Sequence, residues 1–226
     1  MTKGKIIAFD SGTDGAGKEA QAILLTQALK QMNYNVRHIS FPCYDQPSSI
    51  LVKKYLNGDF GKDAAALNPY IISTFYAVDR FSSYLEDWKS FYENGGIIIF
   101  DRYSTSNMIY QGTKFKTLEE AITFGKWNID LEHTYGGLPL YDLVLYLDVD
   151  PNTSEILRKD RKNKNQGTTD IHEENHNYMK KCYVRGLGLA KEFNWNIVKC
   201  IEDGNLKTID AIHNDILKRV VDFIEK

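Results

Sequence analysis

Five short apolar runs, each separated from the next by enough chain for one or more helices, constrain the fold more than any other feature. They span 6–9, 36–41, 97–100, 143–147 and 196–200. Most are continuously apolar rather than alternating, the pattern of strands covered on both faces. Helical patterns occupy 18–31, 48–57, 70–93, 118–133, 171–193 and 206–224. Strands that alternate with helices build βαβ units, so the spacing predicts an α/β fold, a five-stranded parallel sheet flanked by helices in three layers. At 226 residues the chain fits one domain, 1–226.

Charge and composition exclude several function classes. Lys and Arg number 28 against 30 Asp and Glu, so the chain lacks the cationic excess of a protein that neutralises nucleic acid or an anionic membrane. The longest apolar runs fall far short of the ~20 residues of a membrane span. Met1-Thr2-Lys3-Gly4-Lys5 leads into an apolar run that soon meets Asp10, which is no secretory signal, so a cytoplasmic location is expected. Cys43, Cys182 and Cys200 are too far apart for a CxxC pair and read as buried free thiols. Gly136-Gly137-Leu138-Pro139 is a turn before the fourth strand. The segment 158–169 carries five cations and no apolar side chain, so it reads as a mobile surface lid, about 158–170.

Between the first strand and the first helix lies Gly12-Thr13-Asp14-Gly15-Ala16-Gly17-Lys18, a GxxxxGK string in the context a phosphate-binding loop requires. Glycines let backbone N–H groups converge on phosphate oxygens, the helix N-terminus adds partial positive charge, and Lys18 neutralises the β/γ end. The residue after Lys18, normally a Ser or Thr that ligates Mg²⁺, is Glu19, followed by Ala20. A carboxylate is a hard oxygen donor, so Glu19 is a candidate metal ligand.

The third strand ends in Asp101-Arg102-Tyr103-Ser104-Thr105-Ser106-Asn107-Met108-Ile109-Tyr110-Gln111-Gly112. With the glycine loop, with Phe75-Tyr76-Ala77-Val78-Asp79-Arg80 and with Leu145-Tyr146-Leu147-Asp148-Val149-Asp150-Pro151, it resembles the thymidylate kinase family in order and spacing over nearly the whole chain. The resemblance implies a P-loop kinase fold and transfer of the γ-phosphoryl group of ATP to the 5′-phosphate of dTMP. It implies Mg²⁺ as cofactor, nucleotides as small-molecule ligands, and a homodimer packed through helices, to which 75–91 would contribute. In that frame Gly12 to Glu19 hold ATP, while Glu19 and Asp101 face Mg²⁺. Arg80 and Arg102 clamp the acceptor phosphate, and Asp14 takes the sugar 3′-hydroxyl. Tyr76 stacks on the base with Phe75 as fallback. Phe41 and Gln111 line the pocket, Asn107 hydrogen-bonds the thymine edge, and Tyr110 crowds the 2′ side. Lys18, Asp101, Arg102 and the lid arginines Arg158 and Arg161 form the catalytic set. The chain departs from the family in having no arginine beside Phe41-Pro42, so the acceptor phosphate leans on Arg80 and Arg102. A nucleotide-binding member with weak or different monophosphate kinase activity is the alternative.

A rival of another class is His172-Glu173-Glu174-Asn175-His176, a literal HExxH. A zinc hydrolase needs a third protein ligand, and Glu192 is the only obvious one nearby. The bland reading is a polar helix start after the lid, capped by Thr169 or Asp170.

Overall fold

The computed structural model describes residues 3–63, 65–164 and 176–226, with their side chains except those of 160–164 and 176. Five parallel strands, β1 (Lys5–Asp10), β2 (Val36–Ser40), β3 (Ile97–Asp101), β4 (Leu143–Asp148) and β5 (Asn196–Lys199), form one sheet in the order β2-β3-β1-β4-β5. The connections hold α1 (Lys18–Gln31), α2 (Ile50–Leu56), α3 (Pro69–Ser83), α4 (Lys89–Glu93), α5 (Ser104–Tyr110) and α6 (Leu118–Ile129). They continue with α7 (Pro151–Lys164), α8 (His176–Glu192) and, after a short ribbon, α9 (Ile209–Ile224).

Strand side chains alternate between faces, so the sheet feeds two cores. Ile7, Phe9, Ile99 and Leu145 pack with Leu25 and Leu29 of α1 and with Ile212, Ile216 and Val220 of α9. Ile6, Ala8, Ile98, Phe100 and Tyr146 pack on the other face with Met108 and Ile109 of α5, Ala121 of α6 and Leu189 of α8. This is the three-layer α/β architecture that the alternating runs predict.

The structure corrects the expected elements at several points. The helix expected over 70–93 is α3 and α4 joined by a π-helical turn, Tyr84–Trp88, and that over 118–133 is α6 followed by a second such turn, Asp130–Tyr135. The segment 158–164 is helical, the second half of α7. Asp150 caps that helix, accepting from the amides of Asn152 and Thr153 at 2.9 and 3.1 Å, and Lys and Arg are good helix formers even where no apolar face exists. The expected helix over 206–224 begins later because 201–206 forms a two-stranded ribbon, β6 (Ile201–Glu202) and β7 (Asn205–Leu206). Its turn is Asp203-Gly204, both at positive φ, 49° and 76°, as a tight hairpin demands. α9 follows, with Thr208 Oγ1 accepting from Ala211 N at 3.2 Å. Of the helix expected over 171–193, residues 171–175 lie outside the described residues, as do 165–170 of the lid with Thr169 and Asp170. Among the described residues no helix is long and apolar enough to cross a membrane.

Candidate active site

β1 lies between β3 and β4, so the carboxyl ends of β1 and β3 meet side by side, Phe9 opposite Asp101, with Ser40 of β2 opposite Asp101 on the other side. A parallel sheet opens its crevice at such an edge. There a cleft of about 420 Å³ opens. One wall is the glycine loop, Asp14 to Glu19, and the floor is Phe41, Asp101 and Arg102. Tyr76 from α3 and Asn107, Tyr110 and Gln111 from α5 and its end complete it.

The loop takes its shape from Gly15 and Gly17, at φ 87° and 85°, where an L side chain would be strained. Gly17 caps α1 with no side-chain cap hydrogen bond from the described residues, which leaves the first backbone amides of the helix available to an anion. Gly12 and Thr13 lie behind the loop rather than on the cleft: the Gly12 amide donates to Tyr146 Oη at 3.0 Å and Thr13 Oγ1 to the Val149 carbonyl at 3.1 Å. Lys18 is buried and folded back, its Nζ donating to Ser11 Oγ at 2.7 Å and the Thr13 carbonyl at 3.1 Å. Burial pulls its pKa from the ordinary 10.5 to about 8, with Arg102 pulling the same way against Asp14, Asp101 and Asp10.

Arg102 turns the chain from β3 into α5 in the left-handed region, φ 68°, rare for a side-chain-bearing residue and frequent at functional sites. Its amide donates to the Phe9 carbonyl at 3.1 Å and its Nη2 to Asp14 Oδ1. Burial disfavours the guanidinium charge, but Asp14, Tyr110, Asp101 and Asp10 outweigh it and hold Arg102 well above its ordinary range. Sequence reading missed Asp10. Fully buried at the end of β1, it accepts from Thr105 Oγ1 at 2.7 Å, Ser106 Oγ at 2.8 Å and the Ser11 amide at 2.9 Å. Those bonds hold the polar start of α5 against the loop, which explains why Ser104-Thr105-Ser106, poor helix formers, begin a helix here. A charge ending an apolar strand was the available signal.

Arg80 is the main correction to the sequence reading. It is 2% exposed, does not line the cleft, and gives Nε and Nη2 to Glu132, itself 0% exposed, at 2.6 and 2.7 Å. Its bidentate fork is therefore filled by a buried carboxylate rather than open to a phosphate. Among the described residues the cations lining the cleft are Lys18 and Arg102. Near Phe41-Pro42, the buried Asp79 accepts from the Cys43 amide at 2.8 Å and Ser48 Oγ at 2.7 Å.

Tyr76 lines the cleft edge-on to Tyr55, ring centroids 6.3 Å apart, whereas Phe75 packs away on Phe60 at 5.5 Å. Tyr110 donates to the Ser11 carbonyl at 3.4 Å, and Gln111 Nε2 to Tyr55 Oη at 3.4 Å. Arg158 lies against the loop: a Cβ on Gly15 would sit 3.2 Å from Arg158 Cβ and 2.8 Å from the Ser154 carbonyl. The side chain of Arg161 lies outside the described residues. So do His172 and Glu173, and of His176 only the backbone is described. His176 and Glu192 open and close α8, a 17-residue helix, which sets them ~24 Å apart and removes Glu192 as a third ligand for zinc beside His176. Among the described residues no group of three metal-ligating side chains assembles. A magnesium ion needs less from a protein: one or two carboxylates beside substrate phosphates and water. Asp101 supplies a buried Oδ1 with no hydrogen-bond partner among the described residues, and Glu19 lines the same cleft, so the donor set fits that ion.

The family model described as thymidylate kinase matches residues 11–216. A thymidylate kinase of Plasmodium falciparum is 29% identical over 219 residues, 96% of this chain and 90% of the relative. One from Limosilactobacillus fermentum is 28% identical over 97% of each. Among solved structures, the thymidylate kinase of Candida albicans superposes with a TM-score of 0.69 at 22% identity, covering 96% of this chain and 91% of the other, a likeness of fold. Glycine loop, strand order and a family match spanning both ends of the cleft lead to one statement: the chain belongs to the thymidylate kinase family.

Proposed function

We propose that the protein is a nucleoside monophosphate kinase that transfers the γ-phosphoryl group of ATP to the 5′-phosphate of dTMP, giving dTDP and ADP. The observation that carries this reading is a cleft shared by a glycine loop at a helix N-terminus without a side-chain cap and by Arg102, Asn107 and Tyr76. One end suits a triphosphate and the other a phosphorylated, flat base.

In the reaction an oxygen of the acceptor phosphate bonds to the γ-phosphorus while the bond to the β–γ bridging oxygen breaks and ADP leaves. Charge spreads over the equatorial oxygens, and fixed cations stabilise it. Lys18 swings from Ser11 and Thr13 to the β/γ phosphates, exchanging two neutral acceptors for charged ones. Arg102 holds the acceptor phosphate opposite, and Asp14, its partner here, orients it and takes the sugar hydroxyl. Asp101 and Glu19 are the groups that would hold Mg²⁺, which neutralises phosphate charge when bound. Tyr76 packs on the base, Asn107 reads its edge, and Tyr110 crowds the 2′ side, with Phe41 and Gln111 closing the pocket. Arg158, with Arg161 beyond it, belongs to a cationic lid over the ATP end. We place the enzyme in the cytoplasm as a homodimer, its copies meeting along α3.

Coupled ADP production with dTMP, dUMP, dCMP and dGMP as acceptors tests the assignment. Turnover with dTMP well above the others is expected. No turnover with any acceptor, despite tight ATP binding, would refute it.

A further inference from the structure

Beneath the base end of the cleft lies a buried polar cluster that the phosphoryl transfer itself does not use. Its centre is Glu132, in the π-helical turn after α6, a kind of helix defect frequent at functional sites. Besides the two bonds from Arg80, its Oε1 accepts from Asn128 Nδ2 at 3.2 Å and from Asn107 Nδ2 at 3.5 Å. Asn107 Nδ2 also donates to the Ser73 carbonyl at 3.3 Å. Asn107 is 3% exposed and lines the cleft, so one of its two amide ends faces protein and the other is left for a ligand.

The chemistry of the partners decides which. An ionised carboxylate and a backbone carbonyl only accept hydrogen bonds. Turned over, the Asn107 amide would set its own oxygen against both and leave buried acceptors facing each other, so the NH₂ stays inward. The Arg80 fork supplies the counter-charge that a buried ionised carboxylate requires. That gives Arg80 a task beneath the base end of the cleft.

We infer that Glu132 is a positioning residue for base specificity: it fixes Asn107 with Oδ1 toward the cleft, so the site takes a base with an N–H donor on its pairing edge. Thymine and uracil carry that donor at N3, whereas cytosine presents a bare acceptor there and is refused. The inference rests on the proposed contact between Asn107 and the base.

The test compares kcat/KM for dTMP and dCMP in the full chain and in two variants. In Glu132→Gln the new amide can offer its own NH₂, which leaves the Ser73 carbonyl alone to hold the Asn107 NH₂ inward and so brings the turned-over orientation within reach. In the double variant Arg80→Met with Glu132→Leu the pair is removed without leaving a lone buried charge, which keeps the test available should the single variant not fold. The dTMP-to-dCMP ratio should fall about tenfold or more in either, chiefly through a lower KM for dCMP. A merely structural role lowers both substrates together and leaves the ratio alone. A folded variant with normal ATP binding and an unchanged ratio overturns the inference. So does a wild-type protein that binds dCMP, or dTMP methylated at N3, as tightly as dTMP. If the wild type turns over only purine monophosphates, the dTMP reading fails by itself. The orientation of Asn107 is then judged by whether dGMP, with an N1–H, is preferred over dAMP, which lacks one.

Discussion

Lys18 sets two opposite pH dependences. With its folded pKa near 8 and its ordinary value 10.5, the unfolded chain binds the extra proton between those limits, so this group makes the fold more stable as pH rises through the window. ATP binding runs the other way, because a triphosphate needs the ammonium form. Affinity for ATP should fall about tenfold from pH 7 to pH 9, read by calorimetry, and Lys18→Met should bind weakly with no such slope. An unchanged slope in Lys18→Met would assign the titration elsewhere. Glu19 carries a second residue-scale prediction. If it helps Asp101 hold the metal, Glu19→Gln should raise the Mg²⁺ concentration giving half-maximal activity several-fold, whereas Glu19→Thr, restoring a hydroxyl, should leave it near the wild-type value. Residue positions were legible where chemistry is written in a local string: Asp14 to Glu19 of the loop, Asp101, Arg102 and Asn107 all reach one cleft, while Gly12 and Thr13 support it from behind. Arg80 was not, because its partner Glu132 is 52 residues away and no local pattern announces a buried pair.

At the scale of elements, α8 is what braces the loop from behind. Tyr146 of β4 accepts from the Gly12 amide, and Gly186 of α8 lets the ring lie there: a Cβ on Gly186 would stand 2.5 Å from Tyr146 Oη. The ring is fully buried and has nowhere to retreat. Gly186→Ala gains helix propensity yet must displace it, so the net change should be a loss of about 1–3 kcal/mol in urea unfolding together with weaker ATP binding, since the Gly12 amide loses its partner. A variant of wild-type stability and affinity would show that the loop does not depend on this helix. The same scale separates what pattern reading captures. The five strands are apolar because both faces are covered, so their burial is written in composition. α5 is held by side-chain bonds to Asp10 rather than by propensity, and α7 has a mean composition too polar for any amphipathic test. The signals on offer were local ones: Asp10 at the end of an apolar strand, the Asp150 cap and the Asp203-Gly204 turn.

For the molecule as a whole, the surface of α3 carries an aligned row of exposed apolar side chains. Ile71, Val78 and Leu85 follow one another at intervals of seven residues along α3 and into the π-helical turn, and are 55%, 49% and 69% exposed. Seven residues are nearly two helical turns, so the three form one apolar stripe on a helix whose other side holds Tyr76 over the cleft and Arg80 over Glu132. Apolar side chains aligned in this way mark a contact surface, whereas single exposed ones need no explanation. A two-fold pairing would bring the stripe against its own copy, burying each residue twice over. It would also stiffen the helix that carries the base-binding side chains, linking assembly to substrate affinity. Light scattering at micromolar concentration should give twice the chain mass for the wild type and the monomer mass for the double variant Val78→Asp with Leu85→Asp, whose KM for the acceptor should rise while ATP affinity holds. A wild type that scatters as a monomer, or a double variant that remains dimeric, would remove α3 as the interface.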